Sequence, residues 1–80
     1  MELENFEQAL KDYRSQVPFK PYYVELVSGR IIRVDHPEAL YSRAGQAVFL
    51  ASNGAPSMFD YTSVARIFYT AEEPEGVVTS

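Results

Sequence analysis

Tyr22-Tyr23-Val24-Glu25-Leu26-Val27-Ser28-Gly29-Arg30-Ile31-Ile32-Arg33-Val34-Asp35 is the stretch that decides how this chain folds. Two runs rich in β-branched and aromatic residues flank Ser28-Gly29, the pattern of a β-hairpin. Tyr22, Val24 and Leu26 fall on one face of the first run, Ile32 and Val34 on one face of the second. Side chains alternate with period two, so these sets share a face only if the loop holds an odd number of residues. A two-residue turn would set Val24 opposite Arg33 and Glu25 opposite Ile32, mixing core with solvent. A three-residue loop ending at Gly29, with the glycine in the left-handed region, removes the conflict. Gly29, Leu26, Val24 and Val34 are then the structural anchors, and Glu25, Arg33 and Asp35 share the outer face.

Upstream, Leu3, Phe6, Leu10, Tyr13 and Val17 recur at spacings of three and four, the apolar stripe of a helix over about residues 3–16. Glutamates early and Lys11 and Arg14 late suit the helix dipole, and Glu7 stands four residues before Lys11. Pro18 ends the helix and Pro21 keeps the connection extended. Downstream, His36 to Gly45 reads as a connection with turn chemistry and room for one helical turn. Gln46 to Ser52 reads as a third strand, apolar enough for both faces to be covered. Asn53-Gly54-Ala55-Pro56 is a turn. Met58–Tyr61 and Val64–Tyr69 follow as nearly continuous fourth and fifth strands, interrupted at Thr62-Ser63. Residues 71–80, with proline, glycine, acid and no periodicity, read as a disordered acidic tail after a single domain over 1–70. The expected fold is mainly β with one N-terminal α-helix: five antiparallel strands in a small barrel, or an open sheet on one helix as the alternative.

The chain of 80 residues has 46% hydrophobic residues and no cysteine, which excludes disulfide staples and thiolate metal sites. A small unstapled core favours self-association. No apolar run reaches the roughly 20 residues of a membrane span, and the acidic start lacks a secretory pattern, so a cytoplasmic protein is expected. The net charge is −4, but Glu2, Glu4, Glu7, Glu72, Glu73 and Glu75 place six acids at the ends. Between them seven basic residues meet five acids, a mildly basic middle that neither excludes nor signals nucleic acid.

Glu25-Leu26-Val27-Ser28-Gly29-Arg30-Ile31-Ile32-Arg33-Val34 resembles the first Sm motif: an apolar run, a glycine turn and a second apolar strand. Met58 to Phe68, MFDYTSVARIF, resembles the second motif in its Hfq form. The chain thus resembles the Sm-like family over about Tyr23 to Phe68, and also a group of short uncharacterised bacterial proteins with PFKPYYVEL followed by SGR and DHP. The resemblance implies an Sm-like or SH3-like five-stranded barrel, rings built by pairing the fourth strand with the fifth of a neighbour, and RNA bound near the pore. Where Hfq-like proteins offer a lysine and a histidine to RNA, this chain has Asp60, Tyr61 and Thr62. An aspartate beside a phosphate costs affinity.

Other constellations have plainer readings. His36, the one histidine, follows Asp35 like a base beside its orienting carboxylate, but it sits where a loop ends the hairpin, and neither Ser42 nor Ser63 has a nucleophile's context. One histidine and scattered acids make no metal set. Tyr22, Tyr23, Tyr41, Tyr61, Tyr69, Phe59 and Phe68 could stack on bases, yet core or interface is the simpler place for them. Arg30, Arg33, Arg43 and Lys20 could line one surface, although Glu25 stands near Arg33. The expected function is a non-enzymatic interaction module, self-associating through strand edges, with another protein as a further partner. No catalytic residue and no cofactor is expected. The alternatives are an Hfq-like RNA binder, contacting RNA through Tyr61, Thr62, Arg30 and Arg43, and a small-ligand-binding barrel.

Overall fold

The computed structural model describes residues 1–79. In chain order these form α1 (Leu3–Arg14), β1 (Tyr22–Leu26), β2 (Ile31–Val34), β3 (Leu40–Arg43), β4 (Gln46–Leu50), β5 (Pro56–Asp60), β6 (Val64–Phe68) and β7 (Val78–Thr79). Single 3-10 turns stand at Pro37–Ala39 and Tyr61–Ser63. The protein is mainly β with one N-terminal helix. Its seven strands lie in two sheets, β6-β1-β2-β7 and β3-β4-β5, which do not close into a barrel.

The hairpin has the parity its sequence requires. Tyr22 stands opposite Val34 and Val24 opposite Ile32. Leu26 N–H donates to the Arg30 carbonyl at 2.8 Å, so the loop is Val27, Ser28 and Gly29, with Gly29 at φ +93°. Tyr22, Val24, Ile32 and Val34 are all buried, each contributing on the order of 1.5–3 kcal/mol by leaving water. From the other sheet Leu40, Ala47 and Phe49 meet them, and Phe6 and Leu10 of α1 cover the end. Among the described residues no helix is long and apolar enough to cross a membrane.

Several elements differ from what the sequence suggests, each for a physical reason. The second half of the His36–Gly45 connection is a strand, β3, paired with β4 through the two-residue turn Ala44-Gly45. Both turn residues have positive φ, +52° and +83°. An alanine in the first of these positions hides a turn that asparagine would advertise. The 3-10 turn Pro37–Ala39 separates β2 from β3, so the chain passes from one sheet to the other there instead of running on as one barrel strand. β4 is not covered on both faces: Ala47 and Phe49 are buried, whereas Leu50 is exposed and Val48 half-buried. The helix stops at Arg14, where Ser15 caps it by donating from Oγ to the Lys11 carbonyl at 2.7 Å. Val17, beyond that stop, is 95% exposed and takes no part in the apolar stripe.

The acidic tail also finds partners. Val78 pairs with Ile32 and Thr79 with Arg33 in parallel register, and Val78 packs on the core. Glu73 meets Arg33 at 3.2 Å, and Ser52 N–H donates to the Thr79 carbonyl at 2.9 Å. The composition of 71–80 resembles a disordered segment, but a cation and an open strand edge elsewhere in the chain give it somewhere to bind.

Candidate functional site

Which backbone groups are left unpaired follows from the ladders. Ala51 N–H donates to the Ala55 carbonyl and Tyr61 N–H to the Gly45 carbonyl, so odd-numbered residues from 45 to 51 turn their polar groups toward β5. Even-numbered Gln46 and Val48 therefore bond to their partners Arg43 and Tyr41 in β3. Leu40 and Ser42 are left with amides and carbonyls facing away from β4. In β5 the same logic bonds Ser57 and Phe59 to β4 and turns Met58 outward. β6 is also an end strand. Val27 N–H donates to the Ser63 carbonyl, which places Tyr23 and Glu25 toward β6 and leaves the Ile67 backbone facing out. Among the described residues, β3, β5 and β6 each present one open edge.

The outer faces of the two sheets differ in how far they satisfy themselves. On the hairpin sheet, Tyr23 stacks on Phe68 with ring centroids 5.5 Å apart, and Arg66 lies 4.1 Å above the Phe68 ring. Arg66 also bonds Glu25 at 2.6 Å, while Arg33 pairs with Asp35 at 2.6 Å and with Glu73. The hydrogen bond that Arg33 donates to Glu73, with Asp35 beside it, raises the Arg33 pKa further above its ordinary value. Glu25 is thus the partner of Arg66 rather than of Arg33. On the β3-β4-β5 sheet, Tyr41, Val48 and Met58 stand side by side across the outer face, Met58 being 75% exposed.

Two clefts flank the open edge of β3. One, of about 410 Å3, lies between α1 and β3 and is lined by Leu10, Lys11, Arg14, Tyr22, Leu40 and Ser42. The other, of about 610 Å3, lies on the outer face and is lined by Tyr41, Ser42, Arg43, Val48 and Met58. The Arg14 guanidinium sits 4.9 Å from the Tyr41 ring centroid, between the two. Burial pushes the Tyr22 phenol well above its usual pKa, so the cleft floor is neutral.

The residues singled out from sequence gather in part. The bonds Val27 to Ser63 and Tyr61 to Gly45 bring the hairpin loop, the Tyr61–Ser63 turn and the Ala44-Gly45 turn to one end of the molecule. Arg30, Arg43, Tyr61 and Thr62 therefore belong to one end, where Tyr61 and Thr62 are engaged within the chain. The Tyr61 ring packs on the core and against Gly45, where an added Cβ would lie 2.8 Å from Tyr61 Cδ1. Thr62 is tied to Asp60, donating its N–H at 3.0 Å and its hydroxyl to the same carboxylate oxygen. The hydrogen bond from the Thr62 side chain holds the Asp60 carboxyl below its ordinary pKa, so the turn carries a negative charge. Lys20 precedes β1 at the end opposite Arg30, about 13 Å along the strand, and Arg33 is already neutralised, so the four cations form no common surface.

His36 is exposed at the head of the Pro37–Ala39 turn, and no hydrogen bond among the described residues joins it to Ser42 or Ser63. No group of three or more metal-ligating side chains occurs among the described residues. The edge of β3 is what sequence reading missed. The signal available was Leu40-Tyr41-Ser42-Arg43 before Ala44-Gly45, a short alternating run before a glycine turn. Comparison with known proteins adds no relative: no family model matches, and neither the curated proteins nor the solved structures return a match.

Proposed function

We propose that this protein is a non-enzymatic interaction module that self-associates by pairing the open edge of β5 in one copy with that of β6 in the next. The observation behind the reading is the separation of consecutive strands. β5 and β6 are joined by a single 3-10 turn, yet they belong to different sheets. Each keeps one edge unpaired among the described residues. An unpaired edge is a template for another strand, and natural proteins that leave one uncovered use it or blunt it. Because the two edges differ, the contact is heterologous and repeats from copy to copy, closing into a ring if the rotation allows. Pairing of this kind is what the Sm-like resemblance implies. Pro56 has no donor and Asp60 is charged, so the pairing centres on Met58.

RNA binding has less behind it. The turn that would meet RNA carries the Asp60 charge, and its tyrosine is used in packing. A ligand at a barrel mouth lacks the closed barrel it needs.

The test is light scattering on the eluting protein, with Met58→Pro as the variant. The proline removes an outward-facing donor and no bond of the β4-β5 ladder. Wild-type protein is expected at a multiple of 9.1 kDa, the mass of one chain, and the variant at 9.1 kDa with its melting transition retained. A wild-type monomer at high concentration defeats the reading.

A further inference from the structure

We infer that the open edge of β3 is a docking site for an extended, acidic segment of a partner protein, aliphatic at alternate positions. A strand laid along an edge directs successive side chains to opposite faces of the sheet. Here each face offers a cleft at the edge: the α1-β3 cleft beside Leu40 and Ser42, and the outer cleft beside Tyr41 and Arg43. Ser42, which is exposed, supplies the main-chain donor and acceptor, while Leu40 is 3% exposed and stays in the core. Tyr41, Val48 and Met58 floor the outer cleft, which takes the aliphatic side chains, while Lys11 and Arg14 rim the α1-β3 cleft, which takes the acidic ones.

The charge of the partner follows from the rims. Lys11, Arg14 and Arg43 have no ion pair among the described residues. The pair expected between Glu7 and Lys11 is not closed. Glu7 is the single acid lining either cleft. By contrast, Arg33 and Arg66, on the hairpin sheet, have carboxylate partners. Cations without ion pairs beside apolar clefts favour a partner bringing carboxylates and disfavour a basic one. Three cations in a chain of net charge −4 are too few for a polynucleotide, whose binding rests on neutralising many phosphates.

The probe is an acetylated, fluorescein-labelled eight-residue peptide alternating valine and glutamate, titrated by anisotropy. Its counterpart with lysine for glutamate and an eight-nucleotide oligouridylate serve as competitors in class. The acidic peptide is expected to bind at least tenfold more tightly than either, and to protect the exposed Ser42 amide from hydrogen exchange. Ser42→Pro, which removes an outward donor and leaves the β3-β4 ladder, is expected to weaken binding tenfold or more. The double variant Arg14→Glu, Arg43→Glu is expected to erase the preference for the acidic peptide, and it decides the matter if the proline variant does not fold. Equal binding of the two peptides, tighter binding of oligouridylate, protection confined to β5 or β6, or no binding at millimolar peptide would each overturn the inference. Self-association through β5 and β6 is scored separately by mass, so neither result substitutes for the other.

Discussion

The two sheets of this protein have similar inner faces and dissimilar outer ones. Outside the hairpin sheet, Tyr23 and Phe68 stack, Arg66 caps the stack, and Glu25, Asp35 and Glu73 neutralise the two arginines. Even the free side of β2 is covered by β7. Outside the β3-β4-β5 sheet Tyr41 meets Arg14, but Met58 is 75% exposed, and among the described residues Arg43 has no ion pair and both end strands keep an open edge. The difference teaches where stability and recognition reside. A face that satisfies its own charges and rings adds to folding, whereas one that does not is available for another chain.

The largest test of that contrast sets one tyrosine against another. Tyr23 is 5% exposed and Tyr41 44% exposed, though both lie on outer faces. Tyr23→Ala is expected to cost about 3 kcal/mol, the scale of removing a buried aromatic. Tyr41→Ala is expected to cost less than about 1 kcal/mol, as for an exposed site. Urea midpoints measure both, and equal losses would break the contrast.

Glycines sharpen it next. Gly29 and Gly45 both have positive φ, but a Cβ at Gly29 meets nothing within 4 Å, while one at Gly45 lies 2.8 Å from Tyr61 Cδ1 and 2.9 Å from Leu3 Cδ1. Gly29→Ala is expected to cost about 1 kcal/mol for the left-handed backbone alone. Gly45→Ala adds overpacking of a further ~1–2 kcal/mol, so its melting temperature should fall clearly more.

The smallest effects are in pH dependence, and the two sheets contribute at opposite ends of the scale. Burial raises the Tyr22 pKa, so its contribution is full below about pH 10, the unfolded value, and is lost as pH rises beyond it. The Thr62 hydrogen bond lowers the Asp60 pKa, so its contribution is present above about pH 4 and lost as pH falls through the folded value. Melting temperatures against pH should show a flatter alkaline limb in Tyr22→Phe and a flatter acid limb in Asp60→Asn. A variant that left its limb unchanged would place the titrating group elsewhere.

Much of the first sheet is legible residue by residue. The alternation of Tyr22, Val24, Ile32 and Val34 demands an odd loop, and Gly29 supplies the only backbone able to close it cheaply. Phe6 and Leu10 announce the helix through their spacing. The second sheet is harder to read because Ala44 occupies a position that usually carries asparagine, and because Val48 and Leu50 suggest a burial that no second layer provides.

Local periodicity determined the hairpin, its parity and the helix, since those depend on neighbours a few residues apart in the chain. Tertiary structure alone decided that Glu73 meets Arg33 across forty positions, that Val78 pairs with β2, and that β3 keeps an open edge among the described residues. Ion pairs and edge pairing between distant segments depend on which surfaces packing brings into reach. A pattern with a period of two or three and a half residues carries no record of that.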